Sequence, residues 1–299
     1  MKDVEEFQEL MDWVTLSMAR QLDTVTAVNA LRAFGSPKDM LEASLPDLSR
    51  LVGMSAAEEI RALARGSAEE QVEDVKVWLE THDDAYVLPI AHPSFPARLV
   101  GAGRAPLVLY VRGALGLLQT RIIAVCGATA PNAAGERNAF EFGEGLSVSG
   151  YTVATLLEGG IAAATIAGVL SACKRKHEAS PPMLFLATGP ARAPRDYAEL
   201  QRAVLEAGGL LISAEPAKAG LDETSRRRRD ELFAAFAERL LLVQAAQQDP
   251  ALLLARDAAE CGVLVGAVPG DIHDPLARGG NRLIREGAAL VETCTDLGF

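Results

Sequence analysis

Four consecutive arginines, Arg226, Arg227, Arg228 and Arg229, form the densest positive cluster in the chain. Guanidinium groups at this density suit phosphate or carboxylate, which they engage through paired N–H donors. Glycines supply a second kind of anion chemistry. Gly127-Ala128-Thr129 runs through Pro131-Asn132 to Gly135, and Leu157-Glu158-Gly159-Gly160 runs into Ile161-Ala162. Such turns, set between an apolar strand and a helix, let backbone N–H groups approach a bound anion. A third segment, Gly279-Gly280-Asn281-Arg282, follows the apolar run 263–268 and its Pro269-Gly270 stop. Each cluster also has a plain structural reading, as a tight strand-to-helix turn or a solvated basic face. Lys174-Arg175-Lys176-His177 closes a helix, where it suits the negative end of the helix dipole.

Catalytic patterns are missing from the sequence. It holds no Gly-x-x-x-x-Gly-Lys-Ser/Thr loop, no Gly-x-Gly-x-x-Gly fingerprint and no Gly-x-Ser-x-Gly elbow. His82, His92, His177 and His273 lack metal-ligand spacing, and Cys126, Cys173, Cys261 and Cys294 stand too far apart for a zinc or disulfide pattern. The expectation is a binding protein that is not an enzyme, uses no cofactor or metal, and carries inert thiols.

The elements that must position these residues alternate. Strands are expected over 122–125, 151–156, 183–187, 210–213, 240–244 and 263–268, with helices over 136–149, 162–176, 197–207, 227–239 and 249–261. Repeating βα units with apolar strands predict a parallel sheet covered on both faces. In such a sheet ligands gather at the loops beyond the strands' carboxyl ends, and the chemistry-bearing turns fall there. Residues 1–80 read differently, as a small helical domain with helices over 24–34, 38–43, 45–51 and 55–64. Phe7, Leu10, Met11 and Val14 recur before them at helical spacing, and Trp13 is expected inside. The predicted organisation is a helical domain over 1–80 and a sheet domain over 81–299.

The chain has 299 residues, 49% hydrophobic and 23% charged, as expected of a globular protein. No apolar run reaches the roughly 18–20 residues that span a bilayer. The N-terminus is acidic rather than basic-then-apolar, so a cytoplasmic protein is expected. Net charge is −11; residues 1–80 hold 8 Lys/Arg against 16 Asp/Glu, a balance of −8, which leaves only −3 for the rest. An acidic chain is poorly suited to polyanions overall, but the near-neutral remainder can hold a local basic face.

Val268-Pro269-Gly270, followed by Gly280-Asn281-Arg282-Leu283-Ile284-Arg285-Glu286-Gly287-Ala288, resembles the end of the DprA/Smf family of DNA-processing proteins. That family closes with Val-Pro-Gly and then Gly-x-Asn-x-Leu-Ile-x-x-Gly-Ala. Residues 31–44 resemble its sterile-alpha-motif-like N-terminal domain. The resemblance, in register over about 90–298, implies an α/β fold: a Rossmann-like parallel sheet domain preceded by a small all-helical domain. It further implies binding of single-stranded DNA without hydrolysis, help in loading RecA during natural transformation, and a homodimer. It places the nucleic-acid site on Gly127, Thr129, Gly160, Arg226 to Arg229, Gly280, Asn281 and Arg282. The winged-helix-like C-terminal domain of many relatives is not expected after Cys294. Departures are specific. Ala128, Thr129 and Ala134 stand where the family has Ser, Arg and Tyr; Glu158 replaces a small residue; Asp230 and Glu231 replace Asn and Arg. The alternative is a diverged paralogue that uses the cleft for a nucleotide ligand or the surface for a protein partner. For the dimer, composition offers Leu232, Phe233 and Phe236 as an apolar cluster larger than one helix face needs.

Overall fold

The computed structural model of the chain describes residues 2–297; Met1 and 298–299, assigned above to the two domains, lie outside the described residues. Six helices come first: α1 (Lys2–Ser17), α2 (Thr24–Phe34), α3 (Pro37–Glu42), α4 (Leu45–Val52), α5 (Met54–Ala64) and α6 (Glu69–Thr81). Asp23, Ser36 and Ser44 each accept a backbone N–H of the first turn of α2, α3 and α4, and prolines preset the starts of α3 and α4. Helix α6, not among the expected helices, buries Val75 and Trp78 and packs Val72 and Leu79 against the same core. Trp13, expected inside, is buried with Met11 and Val14, whereas Phe7, on the same helical spacing, is 37% exposed.

The sheet follows as β1 (Ala85–Pro89), α7 (Ala97–Gly101), β2 (Val108–Gly113), β3 (Ile122–Cys126), α8 (Ala133–Val148), β4 (Thr152–Leu156), α9 (Ile161–Arg175), β5 (Met183–Leu186), α10 (Ala198–Glu206), β6 (Leu210–Ser213), α11 (Glu223–Phe236), β7 (Arg239–Leu242), α12 (Pro250–Glu260), β8 (Leu264–Ala267), α13 (Arg278–Arg285) and β9 (Ala289–Leu290). Strand order is β1-β2-β6-β5-β4-β3-β7-β8-β9. β1, β2 and β6 pair antiparallel in sequence, and every other pairing is parallel. Five-residue strands such as β3 and β4 are buried throughout, as a sheet covered on both faces requires.

β3 pairs with β4 through Ile123 and Val153 and with β7 through Ala124 and Leu240. The chain winds from β3 out to β6, then returns to β7 and winds the other way. The loops leaving β3 and β7 therefore part to opposite sides, which is the crevice where open α/β sheets receive ligands.

The helical unit does not stand apart. Its buried Met11, Leu16 and Trp78 share one core with Val108 and Tyr110 of β2, and the Ser17 hydroxyl lies 3.3 Å from that of Tyr110. On the sheet's other face, Leu232, Phe233 and Phe236 are at most 4% exposed. Phe185 meets Phe233 and Phe236 edge-on, at 5.3 and 4.9 Å between ring centres. The cluster offered above for a dimer is thus consumed by the chain's own core. Phe233→Ala is expected to lose about 3–5 kcal/mol of stability, read by denaturant unfolding. A loss under 1 kcal/mol would mean that this face is not a packed core.

Among the described residues, no helix is long and apolar enough to cross a membrane, and no group of three or more His, Cys, Asp or Glu is placed to hold a metal ion. The four cysteines are free; burial pushes the thiols of Cys126, Cys173 and Cys294 up, away from the reactive thiolate.

Candidate nucleic-acid interface

At the switch point the protein fills its own crevice. The Ala128 N–H donates to the Gln244 carbonyl (2.7 Å), and the Asn132 N–H donates to the Gln244 side-chain oxygen (3.0 Å). The Gln244 amide returns a bond to Asn132 Oδ1 (3.0 Å), which also caps Ala134 and Gly135 at the start of α8. Asn132 Nδ2 is in turn held by Asp274 (2.9 Å). The Ala134, Gly135 and Glu136 N–H groups at the start of α8 are taken by Asn132, and Gln244 is only 8% exposed. Gly127 and Gly135 let this closure happen, since a Cβ on either would run into Gln244. Helix α8 begins three residues before the expected 136 because Asn132 supplies the cap. Thr129 remains exposed on the crest of the turn.

The turn after β4 packs on that crest. Ile161 donates to the Ala128 carbonyl (3.0 Å), and Gly160 sits at φ +64°, ψ −128°, a conformation open to glycine alone. No side chain caps α9, so the positive end of its dipole opens toward this edge. The charge set there is Glu158, whose Oε2 lies 3.4 Å from Arg229. Burial pushes the Glu158 carboxyl above its ordinary range, and Arg229 partly offsets the shift.

The arginine run is not a loop. Asp222 and Ser225 form a reciprocal capping box (2.6 and 2.9 Å) that starts α11 at Glu223, four residues before the expected 227. Bonding from the Ser225 N–H holds the Asp222 carboxyl below its usual range. Within a helix, four successive residues point around most of the circumference, so the arginines have four different surroundings. Arg226 is exposed and makes no ion pair among the described residues. Arg227, 71% exposed, lies 3.9 Å from Glu231. Arg228 reaches the buried Glu215 (3.3 Å). Arg229 is buried between Glu158 and Asp230 (3.4 and 2.7 Å). Two of the four cations are therefore matched internally.

The remaining residues sit on the other side of the switch point. Asn281 accepts from the Gly270 N–H (3.1 Å) and donates to the Gly270 carbonyl (2.9 Å), latching α13 to the Pro-Gly turn. A Cβ on Gly280 would lie 2.8 Å from the Val268 carbonyl. Arg282 is held by Glu286 (2.8 Å), which Arg256 also holds, and both lower the Glu286 carboxyl's pKa. Gly280 and Asn281 thus hold α13 against the chain leaving β8.

One strand-end loop lies outside the expected site residues. After β5, Arg192 and Arg195 are exposed and make no ion pair among the described residues, and the Tyr197 hydroxyl lies 3.9 Å from the Cβ position of Gly159. Thr188 donates to the Arg192 carbonyl (2.9 Å) and Ala191 to the Ala217 carbonyl (2.9 Å), which fixes the loop. The signal was available: two arginines and a tyrosine interspersed with Pro190 and Pro194, directly beyond an apolar strand. Thr129, Gly159-Gly160 and Tyr197 thus meet at one edge, with Arg226 on the flanking helix.

The family described as DNA recombination-mediator protein A matches residues 86–298. Protein Smf of Escherichia coli (strain K12) is 31% identical over 227 residues, 74% of this chain and 57% of Smf, so the chain spans just over half that relative's length. DNA processing protein DprA of Bacillus subtilis (strain 168) is 26% identical over 212 residues, 70% of this chain and 69% of the relative. The X-ray structure of DprA from Streptococcus pneumoniae superposes with a TM-score of 0.79 at 20% identity and covers 96% of each chain. DprA from Helicobacter pylori, whose structure describes a single-stranded DNA binding mode, superposes at 0.58 with 17% identity, covering 71% of this chain and 93% of its own. These two structures share the Rossmann-like fold. With the match running from β1 through the whole sheet, the chain belongs to the DNA recombination-mediator protein A family.

Proposed function

We propose that this chain binds single-stranded DNA along the carboxyl edge of its parallel sheet and holds it for recombination without cleaving it. The observation that carries this reading is the family match across the entire sheet domain. The edge supports it physically. Arg192, Arg195, Arg226 and Arg227 are exposed there or on the flanking helix, and the half-buried Tyr197 brings an aromatic ring to the edge. The Gln244–Asn132 closure of the crevice favours a polymer lying over the turns rather than a mononucleotide bound inside. Pairing of two copies, delivery of the strand to RecA and work in the cytoplasm are the finer parts of the same proposal, supported by the family alone. Light scattering that read a monomer at tens of micromolar would remove the pairing.

Titration of a fluorescent oligo-dT at two salt concentrations tests the reading. Three or four phosphate contacts give a log–log salt slope of about −2 to −3. Arg226→Ala with Arg227→Ala should weaken binding several-fold and flatten that slope by about 1.4. Equal affinity and slope in the variant would sink the assignment of α11 to the site.

A further inference from the structure

Three arginines near α11 keep donors to spare. Between the helical unit and the sheet lies a cleft of about 540 Å³, lined by Arg20 from the α1–α2 loop, Arg104 from the loop after α7, and Arg227 and Arg228. Arg228 is engaged by Glu215, which is 2% exposed. The other three are held loosely. Arg20 lies 3.6 Å from Asp222, while Arg104 and Arg227 lie 3.8 and 3.9 Å from the same oxygen of Glu231. All three separations exceed ordinary hydrogen-bond distance, and exposed pairs of this kind contribute little. Asp23, the other acid lining the cleft, caps α2 by accepting from the Thr26 N–H (2.9 Å). Exchanging these carboxylates for phosphate would therefore cost little.

The cleft runs on toward Arg226, on the helix that flanks the edge already described. Arg104 and Arg227 also line a neighbouring hollow of about 400 Å³ together with Arg226. Glu223, Asp230, Glu231 and Asp257 border that hollow, and Asp230 is bound to Arg229. Each hollow also presents an apolar side chain to solvent, Val25 in one and Leu253 in the other, both 60% exposed, against which an unstacked base can rest.

We infer that a single strand leaving the sheet edge past Arg226 continues into this cleft, where Arg20, Arg104 and Arg227 take its phosphates in place of Asp222 and Glu231. The helical unit, acidic as a whole, then contributes one cation to the strand's path. This inference rests on the single-stranded DNA reading above.

Length dependence separates the two. Fluorescent oligo-dT of about 6 and about 20 nucleotides is titrated into the full chain and into Arg20→Gln/Arg104→Gln, spanning short and long site sizes. The variant should bind the longer oligonucleotide about 5- to 10-fold more weakly, with a salt slope flatter by about 1.4, and the shorter one as the wild type does. Arg20→Lys/Arg104→Lys, which keeps both charges, should restore most of the loss and confirms that the effect is not misfolding. Equal losses at both lengths, or none at either, would overturn the continuation while leaving the edge site standing. If the wild type bound neither oligonucleotide, the underlying reading and this inference would fall together.

Discussion

Combining Thr129→Arg with Glu158→Gln is expected to tighten oligo-dT binding by about 10- to 30-fold, through one added charge-assisted contact and one cation released from a competing carboxylate. Thr129 is exposed on the crest beside the Gly159-Gly160 turn, so an arginine there reaches the strand's path without entering the core. Glu158 occupies Arg229 as a phosphate oxygen would, at 3.4 Å, and its removal leaves Arg229 with Asp230 alone. The salt slope should steepen by about 0.7 for the new arginine. Protonation mimics half of the change. Because burial raises the Glu158 carboxyl's pKa, against the pull of Arg229 and with Asp230 and Asp249 adding to the rise, it takes up a proton above the ordinary carboxylate range. Affinity should therefore rise as pH falls from neutral through that range, and Glu158→Gln should flatten the dependence. An unchanged affinity in the double variant, measured side by side with the wild type, would show that the edge does not carry the strand.

Gly160→Ala is expected to lower stability by about 3 kcal/mol, a cost set by its glycine-only backbone and by steric overlap. A Cβ at φ +64° would collide with the Ala128 carbonyl and lie 2.6 Å from the Thr129 carbonyl carbon. Those atoms belong to the turn that Gln244 and Asn132 pin, so neither side can retreat without breaking the switch-point network. The β3 and β4 turns would separate, and DNA affinity should fall together with thermal stability, by roughly 5 °C in Tm for a chain of this size. A stable variant with full affinity would contradict the packing described for the edge.

The sequence carried most of this fold because its strands are short, apolar and regularly spaced, which physics leaves little room to arrange otherwise. Boundaries went astray where side-chain caps decide them. Asn132 and the Asp222–Ser225 box each begin a helix earlier than apolar periodicity suggests. The site was legible as a location but not as a charge balance. Four adjacent arginines look like one clamp in a line of text, yet on α11 they point four ways, and Glu158 and Glu215 approach from distant positions to neutralise two of them. Such pairing across 71 residues, as between Glu158 and Arg229, has no local signature. The Arg192–Tyr197 loop is the opposite case: its two arginines and its tyrosine stand within six residues of one another in the sequence itself.

Hydrogen–deuterium exchange with and without oligo-dT tests the central claim most directly, because it reports where the strand lies. The account predicts new protection over 127–132, 157–161, 190–197 and the first turns of α11, with α13 and β9 unchanged. Protection confined to α13 and β9, or none anywhere at saturating oligonucleotide, would contradict it.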